Sequence, residues 1–96
     1  MAIRLIVTVK AATGKGAELA EAYKARSAEV MKESGCEQFE VFQSVVTPDK
    51  LAILERWTDQ SALDAHAKIQ NTRAPLRPDL RAGGTEREDY TYNRTR

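Results

Sequence analysis

The feature that most constrains the fold is a pair of alternating segments separated by a short turn. Residues 37–46 read EQFEVFQSVV and residues 51–58 read LAILERWT, and their side chains alternate between two faces as in β-strands. Between them lies TPDK, a four-residue turn in which Pro48 and Asp49 suit the two central positions. A β-hairpin is the simplest structure that connects two strands through so short a turn.

The segments on either side of this hairpin complete a β-α-β-β-α-β order. IRLIVTVK at 3–10 alternates like a strand, whereas ELAEAYKARSAEVMKE predicts an amphipathic helix from about Ala17 to Glu33. QSALDAHAKI at 60–69 predicts a second helix, and EREDYTYN at 86–93 alternates weakly as a fourth strand. This order predicts an α+β, ferredoxin-like βαββαβ fold, in which four antiparallel strands form one sheet and both helices cover one face.

The helix ends carry their own signals. Gly35 follows the first helix closely enough to form a left-handed C-terminal cap, and Lys32 falls in its last turn, where the helix dipole favours a cation. Thr58 or Asp59 caps the second helix. We expect the apolar stripes of the two helices to face the sheet; they comprise Leu19, Tyr23, Val30 and Met31 in the first, and Ala62, Leu63, His66 and Ile69 in the second.

Two helices cover only one face of such a sheet and leave apolar residues on the other. These residues are Ile6, Phe42, Val46, Ala52 and Leu54. A second copy of the chain covers such a patch most simply, so we expect a homodimer through this sheet face. A monomer with a half-apolar open face is the alternative.

Composition limits the classes of function. The 96 residues, 42% of them apolar, fit one domain spanning 1–96, and a formal net charge of +1 gives no field for binding nucleic acid. The N-terminal stretch lacks the apolar core and cleavage site of a signal peptide, and no stretch reaches the length of a membrane span. Cys36 is the single cysteine, so no internal disulfide forms, and we expect a cytoplasmic protein with no membrane partner.

Three residues that carry chemistry fall close together in the sequence. Glu55 and Trp57 share the helix-facing side of the third predicted strand, and His66, the chain's single histidine, lies on the inward stripe of the second helix. A carboxylate buried there needs a partner, for which Arg26 and His66 are the candidates. The alternatives to a shared site are a Trp57 that only fills the core and a His66 that is a hydrogen-bonded structural histidine.

The runs ESGCEQFEVF and TPDKLAILERWTDQSALDAH resemble the antibiotic biosynthesis monooxygenase family of dimeric α/β-barrel proteins. The matching positions are Glu33 to Cys36, Glu55, Trp57, Ala62, Leu63 and His66. The resemblance implies a homodimer with its two sheets face to face and a pocket between sheet and helices in each subunit. It also implies oxidation of a hydroxyaromatic or quinol-type substrate by molecular oxygen, with no cofactor and no metal. Relatives often continue past the histidine with a second histidine and an aromatic residue, whereas this chain reads AKIQNTRAPLRP.

Roles for the candidate residues follow from that chemistry. We expect His66 to be the catalytic base that generates a phenolate, and Glu55 to orient its imidazole. We expect Tyr23, Phe39 and Trp57 to form an aromatic wall, with Arg26 as a further substrate-binding residue. Whether residues 71–84 close a lid over the pocket is left open by the sequence.

Other classes of function fit less well. The third strand lacks the aromatic pattern of an RNA-recognition module, and one histidine with one cysteine is a poor set of metal ligands. AATGKGAE lacks the glycine spacing of a phosphate-binding loop. Haem degradation is disfavoured because the first strand has no asparagine, which the related haem-degrading enzymes use. The alternatives to a monooxygenase are a small-molecule-binding or stress-response protein on the same fold, and an isomerase or cyclase.

Overall fold

The computed structural model describes residues 2–92 of the chain. Its elements follow the predicted order: β1 (Ala2–Lys10), α1 (Gly16–Met31), β2 (Cys36–Gln43), β3 (Lys50–Trp57), α2 (Gln60–Gln70), a 3-10 turn at Pro78–Leu80, and β4 (Glu86–Tyr92). The strands form one antiparallel sheet in the order β2-β3-β1-β4. The ferredoxin-like βαββαβ fold is therefore confirmed. Asn93, which the sequence places in the fourth strand, lies outside the described residues.

Strand β3 has the alternation that its sequence predicts. Its side chains at Leu51, Ile53, Glu55 and Trp57 are all buried on the helix side of the sheet. The register pairs Leu5 of β1 with Glu55, so the buried carboxylate lies in the middle of the two central strands. The hydrophobic core forms around these strands, with Leu19 and Tyr23 from α1 and Leu63 from α2 packed over them.

Strand β2 is shorter than predicted, because the chain leaves the sheet after Gln43. The Ser44 hydroxyl accepts hydrogen bonds from the backbone N–H groups of Val46 (3.3 Å) and Thr47 (3.0 Å), which turns the chain away from the strand direction. Val45 and Val46 are consequently 98% and 87% exposed, and the expectation that they extend the two faces of the strand was wrong. The TPDK turn is present, with the Lys50 N–H donating to the Thr47 carbonyl over 2.9 Å.

The end of α1 differs from the prediction. The helix ends at Met31, so Lys32 is its C-cap residue rather than a member of the last turn, and Gly35 lies beyond the cap. Gly35 does have a positive φ of +83°, but a Cβ there would stand 2.4 Å from the Cβ of Ala62. This glycine therefore serves mainly the close approach of the turn to α2.

The hairpin also fixes the start of α1. The carboxylate of Asp49 accepts hydrogen bonds from the backbone N–H groups of Gly14 (2.9 Å) and Gly16 (3.0 Å). Gly16 is required because a Cβ there would meet the Pro48 carbonyl oxygen at 1.9 Å. The hairpin turn thus docks on the helix N-terminus, which local sequence signals do not reveal.

Two residues of the predicted helix stripes are exposed. Met31 follows Val30 by about 100° around the helix, and it is 44% exposed whereas Val30 is fully buried. Ile69 is 42% exposed, because the inward stripe of α2 ends at His66. Asp59, and not Thr58, caps this helix by accepting a hydrogen bond from the Ala62 N–H over 2.8 Å.

The second face of the sheet carries no helix within residues 2–92. We call it the open face; its central residues are Ile6, Ala52 and Leu54, and Phe42 and Tyr90 flank them. Phe42 is 45% and Tyr90 46% exposed. Val46, which we expected here, lies in the loop after β2 instead. Within the described residues, no helix is long and apolar enough to cross a membrane.

Candidate functional site

A cavity of about 640 Å³ lies between the helix side of the sheet, α2 and the segment that follows α2. We call it the helix-side cavity. Five of the six predicted site residues line it: Tyr23, Arg26, Phe39, Glu55 and His66. Apolar side chains of the central strands, Leu5, Val7 and Ile53, form its floor together with these residues. The structure therefore brings most of the predicted set to one place.

Trp57 lies behind this cavity rather than on its wall. Its side chain is fully buried, and its indole ring stacks on the His66 imidazole with ring centroids 4.5 Å apart and planes tilted by 33°. The expectation that Trp57 forms part of the substrate wall does not fit this position. The indole instead supports the imidazole from the core side, which restricts the rotamers open to His66.

Glu55 is a buried carboxylate whose hydrogen-bond partner is Trp57. The side chain is only 5% exposed, and the indole Nε1–H donates to Glu55 Oε1 over 3.0 Å. Neither of the predicted partners, Arg26 and His66, makes that hydrogen bond, although His66 does act on the carboxylate electrostatically. Desolvation by burial raises the pKa of Glu55, and the Trp57 hydrogen bond and the nearby His66 oppose this rise only partly.

His66 has a different carboxylate partner, Glu33. The imidazole Nδ1 is 2.7 Å from Glu33 Oε1, and both side chains are about nine-tenths buried. A carboxylate can only accept here, so Nδ1 carries the hydrogen and Nε2 is the nitrogen that can accept a proton. The prediction that Glu55 orients the imidazole is therefore corrected: Glu33 does so.

The second oxygen of Glu33 is held by an arginine from the segment after α2. Arg73 Nη1 is 2.8 Å from Glu33 Oε2, an ion pair without hydrogen-bond alignment, and Arg73 Nε is 3.4 Å from Glu29 Oε2. This chain of contacts links α1, α2 and the following segment around His66. Glu33 belongs to the ESGC motif, but its partner stands 33 residues away and no local pattern indicates the pairing.

The segment at 71–84 forms one wall of the helix-side cavity. Arg73, Ala74, Pro75 and Leu76 all line it, and Arg26 Nη2 donates to the Ala74 carbonyl over 2.9 Å. Further along, the Ala12 N–H donates to the Leu80 carbonyl over 2.8 Å, which anchors the segment to the end of β1. The sequence left open what this segment does; in the structure it forms one wall of the cavity.

Two other chemistries have little support among the described residues. No group of three or more His, Cys, Asp or Glu side chains within residues 2–92 is arranged to hold a metal ion. Burial and the charges of Glu33 and Glu55 raise the pKa of the Cys36 thiol to about 11, so it is protonated at neutral pH. Cys36 is accordingly a poor nucleophile.

Fold and cavity together define a class of protein: a ferredoxin-like α+β protein with a cavity between its sheet and helices. The family model for antibiotic biosynthesis monooxygenases matches residues 2–74, and the chain belongs to this family. No significant match was found among curated proteins.

Solved structures agree with this fold. A conserved protein from Methanosarcina mazei is similar with a TM-score of 0.80 and 26% identity, over 97% of this chain and 94% of that one. A conserved protein of unknown function from Bacteroides thetaiotaomicron has a TM-score of 0.75 and 26% identity, over 95% and 97% of the two chains. A structure named as an antibiotic biosynthesis monooxygenase has a TM-score of 0.78 and 16% identity, over 96% and 99%, a likeness that concerns the fold alone.

Proposed function

We propose that this chain is a cofactor-independent monooxygenase that oxidises a hydroxyaromatic or quinol-type small molecule in the helix-side cavity. The observation that carries the proposal is the His66–Glu33 pair: a histidine on the cavity wall whose Nδ1 lies 2.7 Å from a buried carboxylate. Membership of the monooxygenase family supports oxygen chemistry over other uses of such a base.

The first chemical step is removal of a phenolic proton. His66 Nε2 accepts the proton, and the imidazolium that forms is stabilised by the Glu33 carboxylate on the opposite ring nitrogen. Phe39 and the apolar floor of the cavity give the substrate ring a surface to pack against while the phenolate transfers electrons to O₂. The resulting phenolate is the electron-rich species that reacts with oxygen.

The overall reaction balances without any further reductant. One oxygen atom of O₂ enters the ring, the other leaves as water, and a quinol becomes a hydroxyquinone. The substrate supplies all four electrons that reduce O₂. The proton taken by His66 returns when water is lost, so the base is regenerated.

Oxygen uptake by the metal-stripped protein with a panel of hydroquinones and polycyclic phenols tests this proposal. We expect uptake by the wild type, and a decrease of about 100-fold or more in His66→Ala, the range that a general base contributes. Lys68→Ala, an exposed change on the same helix, is the matched control and should retain full activity. Unchanged uptake in a folded His66→Ala protein would contradict the assigned base. Ligand binding or isomerisation without oxygen uptake would favour the binding or isomerase alternative.

We also propose that the active form is a cytoplasmic homodimer in which the open faces of two sheets pack together. The centre of this face is apolar, since Ile6 of β1 pairs with Leu54 of β3, and charged side chains of both signs surround it. Such a patch is complementary to itself under a twofold axis. The single Cys36 accords with a reducing compartment.

A further inference from the structure

The helix-side cavity contains more positive charge than its acidic residues balance. Four arginines line it, whereas its acidic lining consists of Glu55 and the exposed Asp64; the arginines are Arg26, Arg73, Arg81 and Arg87. A cavity that needed only to hold a neutral quinol would gain nothing from this charge, because desolvating a guanidinium is costly.

Two of these arginines form ion pairs with carboxylates that do not line the cavity. Arg73 forms ion pairs with Glu33 and Glu29, at 2.8 and 3.4 Å. Arg87 pairs with its strand neighbour Asp89 at 3.2 Å. The positive charge that these two present to the cavity is therefore partly screened.

Arg26 and Arg81 have no such partner. Within residues 2–92, no carboxylate forms an ion pair with either guanidinium, and the hydrogen bond from Arg26 goes to the neutral carbonyl of Ala74. Both side chains are half-buried. Half-buried guanidiniums without a counter-ion attract an anion more strongly than guanidiniums in open water.

Both guanidiniums line the same cavity as Tyr23. Each lowers the pKa of Tyr23, whereas burial, which is the larger effect, and the charge of Glu55 raise it. The backbone holds Arg81 firmly, since Ala11 and Arg81 form an isolated bridge and the Ala82 N–H donates to the Lys10 carbonyl over 2.8 Å. Arg26 is likewise fixed by its bond to Ala74. The Arg26 guanidinium and the backbone of Arg81 are thus held in place before a ligand arrives.

We propose that the ligand of the helix-side cavity is an aromatic carboxylate: a hydroxylated planar ring whose carboxylate binds Arg81 and Arg26. The planar guanidinium forks match a carboxylate in geometry as well as in charge. The ring then lies over the apolar floor with its hydroxyl directed to His66. This inference rests on the proposed function for the identity of the ring chemistry, but ligand binding can be measured without turnover.

The test compares two probes that differ only in charge, 6-hydroxy-2-naphthoate and its neutral amide, 6-hydroxy-2-naphthamide. Calorimetric titration under anaerobic conditions at pH 7.5 gives the dissociation constant of each with the wild-type protein. We expect the dissociation constant of the carboxylate to be lower than that of the amide by about tenfold or more, because a charge-assisted hydrogen bond contributes roughly that much to affinity. This preference should shrink as salt rises, because salt screens the attraction.

Variants then locate the charge. Arg81→Gln should reduce the preference for the carboxylate while leaving the affinity for the amide unchanged, and Arg81→Lys should restore part of that preference. Arg26→Gln also removes the hydrogen bond to the Ala74 carbonyl, so its result is the ratio of the two affinities, which should fall. The matched control is Arg77→Gln, in the same segment with the same loss of charge, since Arg77 pairs with Asp79 and Glu18 on the exposed surface.

Equal affinity for the two probes would overturn the inference. A preference that survives both Arg81→Gln and Arg26→Gln would also overturn it, since the charge would then lie elsewhere. A preference for the carboxylate in a protein that consumes no oxygen would support this inference and contradict the oxygenase proposal. Oxidation of neutral quinols by a protein that shows no preference for the carboxylate would support the oxygenase proposal and contradict this inference.

Discussion

His66 is set by contacts on two sides, one polar and one aromatic. Glu33 lies 2.7 Å from its Nδ1, and the Trp57 indole packs on its ring. The polar contact selects which nitrogen can act as a base, and the aromatic contact fixes the plane of the ring. Glu33 is therefore a positioning residue for the proposed reaction, since it acts through the imidazole.

Glu33→Gln tests that positioning role. The amide can still contact the ring, but it no longer stabilises the imidazolium, so we expect turnover to fall by about tenfold or more while ligand affinity stays close to that of the wild type. Steady-state kinetics with separate kcat and KM measure the split. Glu29→Gln is the control, because Glu29 contacts Arg73 but not His66. Equal losses in the two variants would contradict a specific role for Glu33.

The buried Glu55 carboxylate makes the free energy of unfolding depend on pH. Burial raises its pKa above the ordinary value of 4.5, so the folded chain binds the proton more tightly than the unfolded chain. The free energy of unfolding therefore loses a contribution from Glu55 as pH rises above about 4.5. In Glu55→Gln this contribution is absent, so the variant should gain stability relative to the wild type between pH 4 and pH 7.

Urea denaturation of both proteins across that range measures the difference. Taking the difference between variant and wild type removes the contribution of the other carboxylates. The amide oxygen of the substituted side chain can still accept the hydrogen bond from Trp57, so packing is retained. A difference that does not change with pH would contradict a raised pKa for Glu55.

At the scale of elements, the turn between α1 and β2 carries Glu33 and sets its distance from His66 on α2. Gly35 allows this turn to lie directly against Ala62 of α2, and the Thr58 N–H donates to the Gly35 carbonyl over 2.9 Å. Glu33 stands two residues before this glycine. The close approach thus brings Glu33 within reach of His66.

Gly35→Ala should disturb this packing. The new Cβ would meet Ala62, and the backbone at Gly35 has a positive φ, so we expect a loss of about 2 to 4 kcal/mol in unfolding free energy. Gly83→Ala is the matched control, because Gly83 has a similar φ of +79° but nothing within 4 Å of its added Cβ. Chemical denaturation gives both values. Equal losses would show that backbone strain alone, and not helix packing, accounts for the effect.

The elements were predictable where burial follows a simple period. Strand β3 alternates cleanly, so its buried residues, including Glu55, could be assigned from sequence, as could the inward position of His66 on α2. The hydrogen-bond partner of His66 could not be assigned from sequence, because Glu33 reaches His66 through a turn geometry that depends on Gly35 and Ala62. The alternation predicted that Val45 and Val46 extend the strand. The strand ends before them, because the Ser44 hydroxyl accepts hydrogen bonds from the backbone N–H groups that follow it.

At the scale of the whole molecule, the two faces of the sheet have different roles. The helix side holds the cavity, and the segment at 71–84 forms one of its walls, tied to the rest of the protein by the contacts of Arg26 and Arg73. The open face leaves the aromatic side chains of Phe42 and Tyr90 half in solvent. That asymmetry is the structural basis for proposing the homodimer.

Leu54→Asp tests the proposed dimer. A carboxylate at the apolar centre of the open face would be buried twice across a twofold axis, so we expect the variant to be monomeric. Light scattering coupled to size exclusion should give twice the chain mass of 10.7 kDa for the wild type and a single chain mass for the variant. Ile69→Asp, on the exposed side of α2, should remain a dimer. A monomeric wild type would contradict the proposed assembly.

The proposed monooxygenation depends only on residues of the helix-side cavity. Its most direct test is turnover of a hydroquinone by the metal-stripped protein under ¹⁸O₂, with mass spectrometry of the product. We expect one ¹⁸O atom in each hydroxyquinone product and the second in water, with both signals lost in His66→Ala. A product without ¹⁸O, or labelling that persists in the folded variant, would contradict it.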